Sequence, residues 1–341
     1  MGVRWGILST AAINDLVLAG ARESDRVDVV AVASRDTARA EAYARTHGIE
    51  TAHGSYEALL GDADVEAVYI PLPNSLHVDW TVRALDAGKH VLVEKPFSRR
   101  AAEVARAGEL AVSRGLVLSE AFMWRYHPQT ARMLELVAQG AVGRLVLVRA
   151  AFSFSLAALR GHDDTRFDPD LDGGGMMDVG CYCVSGIRLL TGSEPERVFA
   201  EERRGGGGVD VAAAGTLRMP DDALGHFDCG FVTQHRDELE VVGEEGSLFV
   251  DDPWHCREPG IELRTGSGVE HIPVEAANSY RLELEAVSDA IRGKAPLRFG
   301  PEDAVAQARV IEALYRSAVS GRSVDLAEED TSRAAPSAPR G

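Results

Sequence analysis

Cysteine is scarce in this 341-residue chain: Cys181, Cys183, Cys229 and Cys256 are all it has. So few thiols in a chain of this size cannot build a disulfide framework, and a reduced, cytoplasmic setting is expected. Long apolar runs are missing too. None nears the ~20 residues of a membrane-spanning helix, and none resembles the apolar core of a signal peptide. The opening Met1-Gly2-Val3-Arg4-Trp5-Gly6-Ile7 reads directly as a strand, with no targeting segment before it. Positive charge is in deficit: 36 Lys and Arg against 53 Asp and Glu give a formal net charge of −17. That balance opposes both a nucleic-acid backbone and an anionic membrane surface as partners. No phosphate-binding P-loop and no G-x-S-x-G elbow occur. What remains is an ordinary globular composition, 45% hydrophobic and 26% charged. At roughly 150 residues per domain the length predicts two domains.

The first third alternates short β-rich runs with amphipathic helical runs. Val3–Leu8, Val27–Ser34, Ala67–Ile70, Val91–Glu94 and Leu116–Ala121 are rich in Val, Ile and Leu, as strands covered on both faces should be. In Ser75–Ala87 the apolar Val78, Val82 and Leu85 recur at helical spacing, and Gly88 stands where a helix-closing glycine belongs. Repeated β-α-β crossovers imply a doubly wound parallel sheet, a Rossmann domain over residues 1–121. After residue 122 the rhythm changes. A helix is expected over Pro128–Gly140, a long strand over Arg144–Phe154, and one helix from Met176 to Leu190 after Gly173-Gly174-Gly175. Five β-like runs follow: Arg197–Arg204, Val211–Met219, Leu224–Val232, Asp237–Val242 and Ser247–Val250. Tight turns join them, which predicts a largely antiparallel open sheet. Helical periodicity returns at Tyr280–Ile291 and Pro301–Ser320. Residues 122–326 are thus expected to form an α+β domain for substrate and oligomerisation, and 327–341, rich in Ala, Ser, Pro and charge, a disordered tail.

Ligands of doubly wound sheets bind at the carboxyl ends of the strands. After the first strand a dinucleotide fingerprint would read G-x-G-x-x-G/A, and here stands Ser9-Thr10-Ala11-Ala12-Ile13-Asn14. Two glycines have become Ser and Ala, still small enough for a backbone to approach a pyrophosphate at the helix start, so Ser9, Thr10, Ala11 and Ile13 are candidate cofactor residues. An ordinary strand-to-helix turn would look similar. The second strand ends in Ser34-Arg35-Asp36. An NAD enzyme places Asp or Glu there on the ribose 2′-hydroxyl, whereas Arg suits a 2′-phosphate, so Ser34 and Arg35 favour NADP, with NAD possible. The bland alternative is a solvated Arg35 beside a helix-capping Asp36. A later strand runs into Pro71-Leu72-Pro73-Asn74-Ser75-Leu76-His77, which makes Leu72, Pro73, Asn74 and His77 further candidates.

The next strand ends His90-Val91-Leu92-Val93-Glu94-Lys95-Pro96. A lysine leaving an apolar strand for a cleft can stabilise a developing alkoxide, although it can also simply reach water. After the glycine triplet comes Met176-Met177-Asp178-Val179-Gly180-Cys181-Tyr182-Cys183. In one continuous helix Asp178 and Tyr182, four apart, would share a face. Tyr182 would then move the proton, Lys95 would lower its pKa, and Asp178 would orient the lysine or the substrate hydroxyl.

Glu94-Lys95-Pro96, the Gly173–Gly175 turn leading to Asp178 and Tyr182, and Glu120-Ala121-Phe122-Met123-Trp124-Arg125-Tyr126-His127-Pro128 together resemble the glucose–fructose oxidoreductase / inositol dehydrogenase family over about Val3 to Tyr315. Tyrosine at 182, the opening Arg4-Trp5-Gly6-Ile7 and the later Trp254 are similar to its branch of dimeric trans-dihydrodiol dehydrogenases and D-xylose 1-dehydrogenases, which use NADP. The resemblance implies Lys95 and Tyr182 as the catalytic pair. It further implies Glu94 and Arg125 at the cofactor, and Trp124, Phe154 and Tyr280 near the nicotinamide or substrate. Subunits of that family pair through the open face of the second sheet, so a homodimer or homotetramer is expected. The departure is the loss of glycine at 9 and 11. Metal is not expected: Cys181-x-Cys183 lacks a second ligand pair, and His162-Asp163-Asp164 and His226…Asp228 read as acidic loops. The reading is an NADP-dependent oxidoreductase acting on a sugar or cyclic diol. A nucleotide-sensing regulator that kept the fold and lost catalysis is the alternative.

Overall fold

Val, Ile and Ala fill the strands of the first sheet because helices cover both of its faces. The structure, a computed structural model, describes residues 2–161 and 163–326. The expected tail at 327–341 and His162 of the acidic loop lie outside the described residues. The first sheet has six parallel strands, β1 (Val3–Leu8), β2 (Val27–Ala33), β3 (Thr51–His53), β4 (Ala67–Ile70), β5 (His90–Glu94) and β6 (Leu118–Ala121), in the order β3-β2-β1-β4-β5-β6. That is a doubly wound Rossmann sheet with its switch point between β1 and β4. The three-residue β3 escaped the sequence reading because it is too short for any periodicity to register. Five helices connect these strands: α1 (Asn14–Arg22), α2 (Thr37–His47), α3 (Tyr56–Leu60), α4 (His77–Asp86) and α5 (Ala101–Arg114). Gly88, past the end of α4, takes φ +76°, the left-handed conformation that its position suggested.

The second sheet has nine strands: β7 (Leu145–Ser155), β8 (Arg197–Arg204), β9 (Asp210–Arg218), β10 (Leu224–Gly230), β11 (Val232–Gly243), β12 (Gly246–Asp251), β13 (Gly260–Thr265), β14 (Gly268–Pro273) and β15 (Val324–Asp325). All its pairings are antiparallel except that of β7 with β10. The run read as one strand over Leu224–Val232 is cut at Phe231, and Val232 already belongs to β11, which begins earlier than the Asp237 expected. β13, β14 and β15 were missed; their residues are mostly half-exposed, so no inward alternation marks them. The inner face meets α6 (Pro128–Ala138), the short α7 (Leu156–Arg160) and α8 (Cys181–Thr191), with Phe152, Phe227, Leu239, Val241 and Val250 packed on Val184 and Ile187. Leu239 and Val241 point inward while Glu238 and Glu240 alternate outward, the pattern of a sheet with one open face.

Two closing helices, α9 (Ser279–Ile291) and α10 (Pro301–Ser320), return to the first unit. Leu284 and Val287 of α9 share a core with Trp5, Val17 and Leu18, and the Trp5 indole donates to Ser288 Oγ at 3.2 Å. Ala304 and Ala308 of α10 pack against α5 through Val104 and Ala107. The strands separate cleanly near residue 122, but the helical cover does not.

The helix expected from Met176 to Leu190 is two pieces. Residues Met176–Gly180 form a π turn, and the α-helix starts only at Cys181. The wider turn changes the offset on which a shared face of Asp178 and Tyr182 depended.

Candidate active site

The carboxyl ends of β1, β2, β4, β5 and β6 open toward the π turn of the second unit. At the end of β1, Ser9 sits at φ +145°, backbone that glycine would adopt without strain. Its hydroxyl holds the turn: Oγ donates to Pro71 O at 3.1 Å and accepts from Ala11 N at 3.2 Å, while Asn14 Nδ2 donates to Ser9 O at 2.9 Å. Thr10, Ala11 and Ile13 are partly exposed around the start of α1, which carries no side-chain cap. At the end of β2, Ser34 is buried and accepts from Asp36 N, whereas Arg35 is exposed. Asp36 is engaged as the N-cap of α2, accepting from Arg39 N at 3.1 Å. The Asp36 carboxylate is thus turned to the helix start through Oδ1, with the exposed Arg35 beside it. These residues fit a dinucleotide with a 2′-phosphate.

Other expected cofactor residues have protein partners. His77 is 1% exposed, with Nε2 and Nδ1 each 2.8 Å from a carbonyl, of Leu72 and Pro96 respectively. Burial, which outweighs the two carbonyls, holds the imidazole down at about 4, so the neutral ring donates to one of them and braces the loop. Neither nitrogen is open to a ligand. Pro73 is partly exposed beside it, and Asn74 Nδ2 reaches across to Asp172 O at 2.9 Å, tying the two units together. Arg125 is 2% exposed; it donates to Ser185 Oγ and Asp303 Oδ2 and lies over Phe122 and Phe299. Its charge belongs to the buried interior.

Lys95 and Tyr182 do meet. The ammonium, on a side chain 13% exposed, lies 5.0 Å from the phenol ring's centroid. It donates to the Asp178 carbonyl at 2.8 Å and to Asp178 Oδ1 at 2.9 Å. The same carbonyl also accepts from Cys181 Sγ at 3.5 Å. Among the described residues these are the ammonium's acceptors, so one of its three N–H bonds remains for a further oxygen. Asp178 Oδ2 accepts from Arg166, which in turn pairs with Asp164. Burial disfavours the Asp178 carboxylate, but Lys95 and Arg166 outweigh it and hold its pKa below the usual range. Burial likewise opposes the Lys95 charge, and Asp178 restores it, so the ammonium titrates above its ordinary value.

Tyr182 differs from expectation. Its pKa is raised well above the ordinary phenol value, first by burial and then by Tyr280 and Glu94. The ammonium faces the ring rather than the oxygen, and the hydroxyl donates to Met123 Sδ at 3.8 Å. The resting group is a neutral phenol, a proton donor, instead of the acidified one the sequence suggested. Glu94, behind the lysine, accepts from Tyr69 Oη at 2.5 Å, and burial raises its carboxyl.

An aromatic wall surrounds the phenol: Phe122 at 5.4 Å, Phe152 at 5.5 Å and Trp254 at 5.8 Å between ring centroids. Phe154 is partly exposed against Phe152 and Phe231, and Tyr280 is partly buried. Trp124 is 1% exposed and packs edge-on to Trp254 at 5.1 Å, which makes it part of the core behind the wall. The sequence reading missed Arg166, Tyr69 and Glu120. Glu120 Oε1 accepts from Phe97 N at 2.8 Å, just beyond the lysine loop. The signal for Arg166 was present: Asp164, two residues earlier, caps a turn that aims it, but the segment looked like a solvated acidic loop. Next to the wall, with the His255 ring 5.6 Å from that of Phe152, Asp237, Asp252 and His255 bring one potential ligand atom each within 4.8 Å of one another, a grouping the sequence did not suggest. His255 Nδ1 already contacts Asp237 Oδ2 at 3.2 Å.

A doubly wound nucleotide-binding sheet whose strand-end lysine meets a phenol and a carboxylate from a helical segment packed on an open mixed sheet defines an oxidoreductase architecture. The chain belongs to the GFO/IDH/MocA oxidoreductase family. Residues 3–122 match its oxidoreductase family, NAD-binding Rossmann fold, and residues 130–249 its C-terminal domain. The chain is similar to D-xylose 1-dehydrogenase (NADP(+)) 2 of Haloferax volcanii, 42% identical over 328 residues covering 94% of this chain and 99% of that one. It is also similar to trans-1,2-dihydrobenzene-1,2-diol dehydrogenase of Bos taurus, 38% identical with 74% and 75% covered. Among solved structures, a 3-ketoreductase from Actinomadura kijaniata in complex with NADP and TDP-benzene superposes with TM-score 0.87 at 28% identity, over 93% of this chain and 98% of that one. These relatives match the branch that Tyr182 and Trp254 resembled. Among the described residues no helix is long and apolar enough to cross a membrane.

Proposed function

We propose that the protein is an NADP-dependent oxidoreductase that interconverts a hydroxyl and a carbonyl on a sugar or cyclic diol. The observation that carries this reading is the convergence of Lys95 Nζ on Asp178 and on the face of Tyr182 at the mouth of the nucleotide cleft. Bound NADP would supply or accept the hydride. Ser9, Thr10, Ala11 and Ile13 would hold its pyrophosphate, with Ser34 and Arg35 at the 2′-phosphate and Leu72, Pro73, Asn74 and Glu94 along the cleft.

The chain's own groups manage the proton and the charge. The third N–H of Lys95 is directed at the reacting oxygen, where an ammonium kept charged by Asp178 stabilises developing negative charge. Tyr182, a neutral phenol, donates the proton that converts this oxygen to hydroxyl during reduction; in oxidation the same proton returns to it. The buried Phe122, Phe152 and Trp254 wall the phenol from water, while the partly exposed Phe154 and Tyr280 offer aromatic faces to the C–H side of a ring. The raised phenol stands protonated at neutral pH, the form in which it can give a proton to the reacting oxygen.

The names of the relatives support a sugar or diol substrate, and the engaged Asp36 supports NADP over NAD. The test is a spectrophotometric screen of aldoses, inositols, cyclic diols and ketosugars with NADP and NADPH. Turnover with one class supports the reading. Tight NADP binding with no turnover across the panel would instead favour a nucleotide-sensing regulator. The quaternary reading is a homodimer or homotetramer through the open face of the second sheet, where Val146, Leu224 and Val232 are exposed; light scattering that finds a monomer rejects it.

A further inference from the structure

Asp178 is pulled from two sides, and only one of its cations was evident from the sequence. Oδ1 accepts from Lys95 at 2.9 Å, and Oδ2 accepts from Arg166 Nη1 at 3.2 Å. Arg166 is held more firmly than a surface arginine. Its Nε and Nη2 donate to the two oxygens of Asp164 at 2.9 and 3.1 Å, a bidentate fork. Its own backbone N–H donates to Asp164 Oδ1 at 3.0 Å, and its carbonyl accepts from Gly174 N at 3.0 Å. The glycine turn is shaped for this contact: a Cβ at Gly173 would lie 2.4 Å from the Arg166 carbonyl oxygen. The triplet that introduces Asp178 is therefore the seat on which the Arg166 segment docks.

We propose that Arg166 is the positioning residue for Asp178, clamping its outer oxygen so that the inner one stays on Lys95. The proposal rests on the reading of Lys95, Asp178 and Tyr182 as the reacting groups. The geometry gives the reason. The Asp178 backbone is held, its N–H donating to Gly174 O at 3.0 Å, but its side chain keeps its own torsions, and a carboxylate with one partner can rotate off it. Two cations on opposite oxygens remove that freedom. The charged and titratable groups that face Asp178 are Lys95 and Glu94 from the end of β5, Arg166 and Asp164 from the loop, and Cys181 and Tyr182 from its own segment. Of these only Lys95 and Arg166 favour its charge, so losing Arg166 leaves burial opposed by one cation.

The experiment compares wild type, Arg166→Leu, Arg166→Lys and Asp164→Asn by the pH profile of kcat/KM, NADP affinity and a carboxyl-carbon NMR titration of Asp178, assigned with Asp178→Asn. The expected result for Arg166→Leu is an acid limb raised by about one pH unit and kcat lowered about tenfold, with NADP affinity unchanged. Arg166→Lys should recover part of both effects. Asp164→Asn, which keeps the arginine but loosens its fork, should give a smaller shift of the same sign and serves if Arg166→Leu does not fold. An acid limb and an Asp178 titration that match wild type in the folded variants overturn the proposal, even if thermal stability falls, because a mere loop staple would give that outcome. If wild type shows no turnover, the reading of the reaction fails by itself. The NMR titration then still decides whether Arg166 sets the charge of Asp178.

Discussion

Two chains of alternating charge cross between the halves of the molecule, and they behave differently. One runs Lys95–Asp178–Arg166–Asp164 at the cleft, with Lys95 and Asp178 side chains 13% and 15% exposed. The other runs Arg125–Asp303–Arg188–Glu194 behind the lysine loop, with arginines 2% and 5% exposed. In the inner chain, further neutral partners complete the fit: Ser185 takes Arg125 Nε and Gln307 takes Arg188 Nη1. In the outer chain an ammonium N–H remains uncommitted and a phenol stands beside it. A buried network whose members are satisfied rigidifies a structure, whereas one that keeps a donor available at a cleft can act on something else. The motif Trp124-Arg125 looked functional in the sequence, and tertiary packing puts it in the inner chain.

Four measurements would break or sharpen this contrast. Replacing the outer cation, Lys95→Ala, should lower turnover by about a thousandfold while NADP affinity barely moves, and it also costs stability because Asp178 is left facing Arg166 alone; wild-type turnover would remove the outer chain's claim to chemistry. Replacing the inner one, Arg125→Ala, leaves the Asp303 carboxylate facing a single arginine in the interior. It should destabilise the fold by about 3–5 kcal/mol in denaturant titration, and an unchanged midpoint would mean that the inner chain is not structural. A third test concerns Glu120, whose carboxyl burial pushes up to about 7 against the pull of Arg125. A carboxyl held above its ordinary 4.5 binds its proton more tightly in the folded state. The stability it contributes is therefore complete below pH 4.5 and is lost as pH climbs through about 7. Glu120→Gln should flatten that decline by at most about 3 kcal/mol, read from melts across the interval; a decline as steep as wild type would show that the group titrates elsewhere. The smallest effect is expected away from both chains. Arg35→Ala should weaken NADP about tenfold and leave NAD unchanged by fluorescence titration, and equal losses for both would count against a 2′-phosphate contact.

How much was legible follows from the range of each interaction. The parallel sheet, its crossovers and the lysine at the end of β5 were readable because short apolar runs, helical spacing and a strand-end position are local patterns. The neighbouring strands β13 and β14 at one end of the second sheet were not, since half-exposed and exposed residues carry little alternation. His77 and Arg125 misled for one physical reason: a polar side chain in a promising motif looks the same in sequence whether it faces a cleft or a buried carbonyl.

Sequence alone determined the family, the order of the elements, the scarcity of positive charge and the presence of Lys95, Asp178 and Tyr182. Only tertiary structure decided how these three are arranged. Lys95 takes the carbonyl and the carboxylate of Asp178 together, burial keeps the Tyr182 phenol protonated, and the glycine seat lets Arg166 reach the second carboxylate oxygen. Each of these depends on contacts between residues far apart in the chain, and desolvation, the largest influence on all three ionisable groups, exists only once the chain has closed around them.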